Sequence, residues 1–299
     1  MTAILLGLIG ALCWGGSDFA ARFASRQVGA YRTLLYMQLF GFVVLSAYLK
    51  FTSGFSQVTA TGWRPWAFAV AAGLMNMTAS LALYYSFQIG VMSIVAPVSS
   101  CYPALTVVLS LLSGERMPPV RAVGLAVTLL GVILAAITFA SHAMPAANSS
   151  AASVQPASKP RLSRGVGWAI LAALFFGVLF WFLGYYVVPV VGSVISVWVI
   201  RLTSFATLVL AAAPARQSLR LPRGGVWWLL ASVGVMDTAA FVANNAGLHT
   251  GQVSVVSVLA SLYGAVTVLL SWIVLRERLE RTQWFGVALI FIGIVLVSF

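Results

Sequence analysis

Apolar windows long enough to cross a bilayer recur along the whole chain, separated by short connections that hold nearly all the Lys and Arg. About 20 apolar residues in a helix span roughly 30 Å of hydrocarbon, and helices satisfy their own backbone groups in lipid. The pattern therefore predicts ten membrane-spanning helices. The predicted spans are residues 2–25, 30–50, 65–89, 91–113, 119–141, 166–188, 191–213, 225–249, 252–275 and 282–299.

The small number of charged residues also indicates a membrane protein. Only 7% of the 299 residues are charged, whereas a soluble domain carries about 25%. A net charge of +12 would indicate nucleic-acid binding in a soluble protein, but here the cations flank apolar spans, where they face anionic lipid head groups. We expect an all-α, multi-pass protein of a cell (inner) membrane, whose partner is the lipid bilayer and not nucleic acid.

The chain contains two similar halves. An Ala/Ser/Pro-rich linker, residues 142–164, separates a first five-helix repeat, 1–141, from a second, 165–299. A shift of 161 sets "GLMNMTASLALYYSFQIG" over "GVMDTAAFVANNAGLHTG" and pairs Tyr102 with Tyr263; a shift of 162 pairs Glu115 with Glu277. Because five is odd, the second copy enters the membrane in the opposite direction. Inverted repeats are typical of secondary transporters, with substrate between the halves.

Four motifs in order resemble the drug/metabolite transporter superfamily, in particular its ten-helix EamA-type members. They are "ALCWGGSDFAAR" (11–22), "YPALTVVLSLLSGE" (102–115), "VISVWVIRLTSFATLVL" (194–210) and "WFGVALIFIGIVLV" (284–297). The chain is most similar to YddG-type exporters. That resemblance implies export of amino acids, aromatic ones included, or of related small metabolites by alternating access. One departure is Gly264, which stands where the first half has Pro103.

Asp237 is the main candidate for a functional side chain. It aligns with Asn76 in the first half, and an ionisable residue inside the membrane usually faces the bundle interior or a wet cavity. Helical spacing places Phe241, Asn244 and Asn245 on the same face as Asp237, while the face of Asn76 also carries Ser80 and Tyr84. We expect both faces to line a common substrate site; an interhelical hydrogen-bond anchor is the alternative.

Arg201 is the only basic residue well inside a predicted span. With Asp237 it would suit a zwitterionic amino acid, since Arg binds carboxylates in a bidentate manner and Asp accepts an amine. A structural salt bridge between two helices explains the same pair equally well. Both interpretations stay open, as does proton coupling through Asp237.

Several aromatic residues with a polar tip lie at mid-span, away from the interfacial belt. They could line an apolar cavity with a few polar groups, although ordinary helix packing accounts for each one. Asp18 and Arg22, four residues apart, are predicted to form a local ion pair near the interface. Of these aromatics, the predicted substrate-binding residues are Trp14, Tyr84, Tyr102, Trp181 and Tyr263.

Pro97 and Pro103 are predicted to kink the fourth helix, because proline removes a backbone donor and clashes with the preceding turn. Such kinks would suit a gating helix. Glu115 precedes the fifth helix, where an acid at a helix start is explained by the dipole alone.

The sequence shows no catalytic constellation, no metal-ligand spacing and no phosphate-binding glycine loop, so we expect no enzyme activity, no cofactor and no metal. Alternative substrates are sugar phosphates, nucleotide sugars or drugs, although phosphorylated ones would need several intramembrane cations. A membrane scaffold is a further alternative from another class. The oligomeric state stays open, with a monomer compatible with the sequence.

The cations are distributed unevenly between the two sides. Twelve lie on the side that follows the first helix and four on the opposite side. The positive-inside rule then predicts both termini outside the cytoplasm. The family resemblance implies both termini inside the cytoplasm. The two indications conflict, so the orientation stays open.

Overall fold

In the computed structural model, residues 1–52, 54, 62–90, 92–140 and 165–275 are described, together with residues 285, 286, 288, 289, 292, 293, 295 and 296. These residues form α-helices joined by short turns. The helices are α1 (Thr2–Val28), α2 (Ala30–Phe51), α3 (Arg64–Ile89), α4 (Met92–Ser99), α5 (Pro103–Leu112), α6 (Pro119–Ala140), α7 (Val166–Phe182), α8 (Val188–Val191), α9 (Ser193–Ala212), α10 (Val226–Leu248), α11 (Val253–Ala260) and α12 (Tyr263–Leu275).

Seven helical segments in the described part of the chain are long and apolar enough to cross a membrane. They coincide with seven predicted spans: the first three and the sixth to ninth. Of the other three, the fourth is divided into α4 and α5, and the fifth corresponds to α6. The tenth, 282–299, lies mostly outside the described residues, so the prediction of ten spans is confirmed for these seven.

Two helices break at equivalent positions of the two halves. The first break lies between α4 and α5, where Pro103 begins the new helix; the second lies between α11 and α12. A β-carbon on Gly264 would lie 2.5 Å from Ser100 Oγ, so glycine is needed there for the two breaks to touch. Pro103 therefore starts a helix instead of kinking one. Pro97 lies within α4, and its side chain is outside the described residues.

A five-residue π-helical segment, Leu183–Val187, joins α7 to α8. Pro189 follows it and explains it, since proline lacks the backbone N–H that would continue the α-helical pattern. The widened turn contains Gly184, where a β-carbon would lie 2.5 Å from Val253 Cγ2. The segment thus packs closely against the start of α11.

Helix α1 lies in the middle of the bundle and packs against α2, α3, α10, α11 and α12. Small residues permit the close approach of backbones, as is common between membrane helices. At Gly234 on α10, a β-carbon would lie 3.0 Å from the Met37 carbonyl oxygen; at Gly7 on α1, it would lie 2.9 Å from Leu259 Cβ. Polar mid-helix residues of α1, α3 and α10 line one cavity inside the bundle.

Candidate functional site

A narrow cavity of about 30 Å³ lies between the helices of the two halves. Helices α1, α3, α7 and α10 and the ends of α5 and α12 form its wall, so each half contributes residues at mid-helix. Its lining is mainly aromatic, with a few polar groups among the rings, as in small-molecule sites. The lining residues are Trp14, Asp18, Asn76, Ser80, Leu83, Tyr84, Tyr102, Phe176, Phe180, Asp237, Phe241 and Tyr263.

Both carboxylate oxygens of Asp237 are occupied. The Trp14 indole Nε1 donates to Oδ1 at 3.0 Å, and the Arg201 Nη2 donates to Oδ2 in an ion pair. Asp237 is 8% exposed, so this pairing takes place away from bulk solvent, where an unpaired charge would be costly. Of the two interpretations that the sequence left open for this pair, the structure contains the salt bridge between helices.

Arg201 itself is turned away from the cavity. It is completely buried, its Nη1 donates to Gln38 Oε1 at 2.8 Å, and its guanidinium lies 5.4 Å from the centre of the Phe241 ring. A β-carbon on Gly41 would lie 3.0 Å from Arg201 Nε. The guanidinium is therefore enclosed among α2, α9 and α10 and holds these helices together, rather than facing a ligand.

Asp18 is the second carboxylate in the cavity wall, one helical turn after Trp14. It is 4% exposed, and no hydrogen bond or ion pair to its carboxylate is found among the described residues. The sequence predicted Asp18 near the interface, but it lies in the cavity wall, because α1 continues to Val28 and buries Asp18 more deeply than the predicted span boundary suggested. No group of three metal-ligating side chains occurs in the described residues.

The predicted face of α3 does line the cavity. Asn76, Ser80 and Tyr84 all contribute to the wall. Asn76 is 1% exposed, and neither its Oδ1 nor its Nδ2 has a hydrogen-bond partner. A buried amide without partners costs free energy, so Asn76 offers its NH2 group as a donor and its carbonyl oxygen as an acceptor to a ligand in the cavity.

Tyr102 and Tyr263 occupy equivalent positions of the two halves, at the start of α5 and of α12. Their rings stack at 6.4 Å with an angle of 14°. The Tyr102 hydroxyl donates to the Ser257 carbonyl at 3.1 Å, and that of Tyr263 donates to Ser99 Oγ at 2.9 Å. Each tyrosine thus binds the broken helix of the other half.

Other predicted site residues lie elsewhere. Asn245 Nδ2 donates to Ser196 Oγ at 3.0 Å, which joins α10 to α9. Asn244 is buried near α1, 3.9 Å from the position of a β-carbon on Gly10. The Trp181 indole donates to Ser113 Oγ at 2.8 Å, at the end of α5. Helical spacing alone could not tell these positions from the cavity wall.

The remaining residues of the cavity wall were not predicted from the sequence. Phe176, Phe180 and Leu83 are apolar residues in apolar helices, and nothing in their spacing separates them from lipid-facing neighbours. Asp18 did carry a signal, because it follows Trp14 by four residues and is one of only five acidic residues in the chain.

Glu115 connects the two halves at one end of the bundle. Its carboxylate accepts hydrogen bonds from Ser254 N and Ser254 Oγ, at 3.2 and 2.9 Å, and from the Tyr185 hydroxyl at 3.4 Å. Ser254 lies in the first turn of α11, so an anion there is also favoured by the helix dipole. Glu115 therefore caps a helix of the other half, whereas the sequence assigned it to the start of its own next helix.

Burial raises the pKa of the Glu115 carboxyl, and the hydrogen bonds from Ser254 and Tyr185 only partly offset that increase. Beside it, Arg121 Nη1 donates to Gln252 Oε1 at 3.3 Å. Together these contacts hold the α5–α6 turn against the start of α11.

The model of the EamA-like transporter family matches residues 1–137 and 163–299. An uncharacterized protein of Methanocaldococcus jannaschii is 30% identical over 139 residues, which are 46% of this chain and 98% of that protein. A solved crystal structure of a protein with 20% sequence identity superposes with a TM-score of 0.74 and covers 99% of this chain and 96% of its own. This last similarity concerns the fold alone.

Proposed function

The chain belongs to the EamA-like transporter family, and from that premise we propose that it is a secondary transporter that exports amino acids or related small metabolites. Multi-pass membrane topology and transport of small substrates follow from the family. The substrate class and the mechanism are our proposal. We also propose that residues 1–141 and 165–299 act as inverted repeats that give alternating access to one central site.

The observation that carries the proposal is the composition of the cavity wall. Seven aromatic rings surround two carboxylates, the Asn76 amide and the Ser80 hydroxyl. Aromatic rings bind apolar bodies and can also face a cation, while the polar groups can orient an amine or a carboxylate. A small molecule with an apolar side chain and an amine, such as an aromatic amino acid, fits that wall.

The contacts between the halves support alternating access. Tyr102 and Tyr263 cross between the broken helices next to the cavity, and Glu115 joins the halves at one end. A rocking motion of one half against the other would have to break the Glu115 contacts while the central residues stay together. This end of the bundle is the one that we propose opens and closes during transport.

Phosphorylated substrates fit the cavity less well. Sugar phosphates and nucleotide sugars carry anionic groups that need cations within reach. The described wall contains Asp18 and Asp237 but no Lys, Arg or His. Arg201 lies outside this wall and is buried and paired with Asp237.

The test is transport into liposomes that contain the purified protein. A panel of labelled amino acids, a sugar phosphate and a lipophilic cationic drug would be compared with protein-free liposomes. We expect saturable flux for one or more amino acids, with aromatic ones preferred. Flux of the sugar phosphate or the drug, with none for any amino acid or small amine, would show that the proposed substrate class is wrong.

A further inference from the structure

Asp18 is a buried carboxyl group in the cavity wall, and no hydrogen bond or cation acting on it is found among the described residues. A buried carboxyl group without partners is costly whether or not it is charged, and proteins usually pair it. The same wall shows how this is done for Asp237, which has both Arg201 and Trp14. We therefore expect a group of the ligand to be the partner of Asp18.

The surroundings of Asp18 suit a protonated amine. Trp14 lies one turn before it on α1, and its ring centre is 5.5 Å from that of Phe180 and 5.5 Å from that of Phe241. Rings that face an ammonium group attract it through their quadrupole, and the carboxylate completes the charge pair. The same rings would enclose the apolar part of the ligand.

The described wall contains no Lys, Arg or His that could bind a ligand carboxylate. Arg201 has its Nη2 on Asp237 and its Nη1 on Gln38, and it is fully buried. The neutral amide of Asn76 is the unpartnered donor nearest to that role. The cavity thus offers an acidic side chain, Asp18, to the amino group of an amino acid and only a neutral side chain, Asn76, to its carboxylate.

We propose that Asp18 determines specificity by binding the protonated amine of the substrate, and that the substrate carboxylate is dispensable. The substrate class then includes arylalkylamines as well as aromatic amino acids. This inference rests on the proposed function and narrows it. Asp18 binds the ammonium group, the aromatic wall encloses the ring, and Asp237 stays paired with Arg201 throughout.

The experiment compares three ligands that share a phenyl ring in proteoliposome uptake: phenylalanine, 2-phenylethylamine without a carboxylate, and 3-phenylpropionate without an amine. We expect 2-phenylethylamine to be transported at least as well as phenylalanine and 3-phenylpropionate not to be transported. Asp18→Asn is expected to reduce uptake of both amines about 10- to 100-fold, the range for one charge-assisted hydrogen bond, while Asp18→Glu keeps measurable uptake.

The outcomes separate the two proposals. Uptake of phenylalanine without 2-phenylethylamine, equal uptake of 3-phenylpropionate, or full activity of Asp18→Asn would overturn the role of Asp18 and leave amino-acid transport intact. If no amino acid and no amine is taken up by folded wild-type protein, the proposed function itself is wrong. Thermal unfolding of Asp18→Asn in detergent checks that a loss of uptake does not come from misfolding.

Discussion

Asp18 and Asp237 are two carboxylates in the wall of one cavity, and their surroundings differ. Asp237 on α10 is held by Arg201 and Trp14, whereas no hydrogen bond or cation acting on Asp18 of α1 is found among the described residues. Both are less than a tenth exposed. Burial alone therefore does not separate a structural acid from a ligand-binding one.

The difference lies in what each carboxylate contributes before a ligand arrives. The Asp237 pair joins α1, α9 and α10 and stabilises the bundle, because removing one partner of a buried pair leaves the other charge uncompensated. Asp18 contributes no such contact and is costly in the empty site. A side chain that is costly without a ligand and favourable with one is suited to recognition. The following four predictions test this comparison, from the largest expected effect on stability to the smallest.

Arg201→Ala is expected to have the largest effect. Asp237 would remain buried without its cation, and breaking such a pair costs about 3–5 kcal/mol. Thermal unfolding in detergent measures the loss. The double variant Arg201→Met with Asp237→Leu should recover most of it, since neither charge is then left unpaired. An Arg201→Ala protein as stable as wild type would mean that the pair is not structural.

Trp14→Phe is expected to have the second largest effect. It keeps the aromatic ring but removes the indole donor to Asp237 Oδ1, and a hydrogen bond to a charged group contributes about 1.5–3 kcal/mol. The matched control is Trp181→Phe, whose indole binds Ser113 Oγ at an exposed position. We expect the control to change the unfolding temperature much less. Equal losses in the two variants would contradict a special role for the Trp14 bond.

Glu115→Gln is expected to have a smaller and pH-dependent effect, of about 1 kcal/mol. Burial raises the folded-state pKa of Glu115 above its ordinary value of 4.5. A raised pKa gives a contribution to stability that is complete below the unfolded pKa and is lost as the pH rises through the folded pKa.

The stability of wild type relative to Glu115→Gln should therefore fall as the pH rises from the ordinary value of 4.5 through the raised folded-state pKa. Unfolding temperatures of both proteins across that range provide the measurement. A difference that does not change with pH, or that grows in favour of wild type as the pH rises, would contradict the raised pKa.

Asp18→Asn is expected to have the smallest effect on stability. The variant should be as stable as wild type or slightly more stable, because the protein then no longer buries an unpaired carboxyl group. The unfolding temperature in detergent, measured beside Asp237→Asn, sharpens the comparison between the two acids. We expect a clear loss for Asp237→Asn only. A loss of more than about 1 kcal/mol for Asp18→Asn would show that Asp18 has a structural partner.

Much of the architecture could be predicted from the sequence, since a membrane helix leaves a long apolar signal. The salt bridge between Arg201 and Asp237 was one of two interpretations that the sequence left open, because opposite charges in an apolar bundle lower each other's cost if they meet. The face of Asn76, Ser80 and Tyr84 followed from helical spacing. Whether the Arg201 guanidinium faces the cavity or is enclosed by other helices could not be predicted, because spacing along one helix says nothing about the helices packed around it.

The sequence by itself determined the class of protein, the seven confirmed helices and the identity of the polar residues at mid-span, because hydrophobicity and helical period are local properties of the chain. Only the tertiary structure decided which of those residues share the cavity. It moved Asp18 from the interface to the wall and took Arg201, Asn245 and Trp181 out of it. The physical reason is that partners such as Trp14 and Asp237, 223 residues apart, meet only when the helices pack.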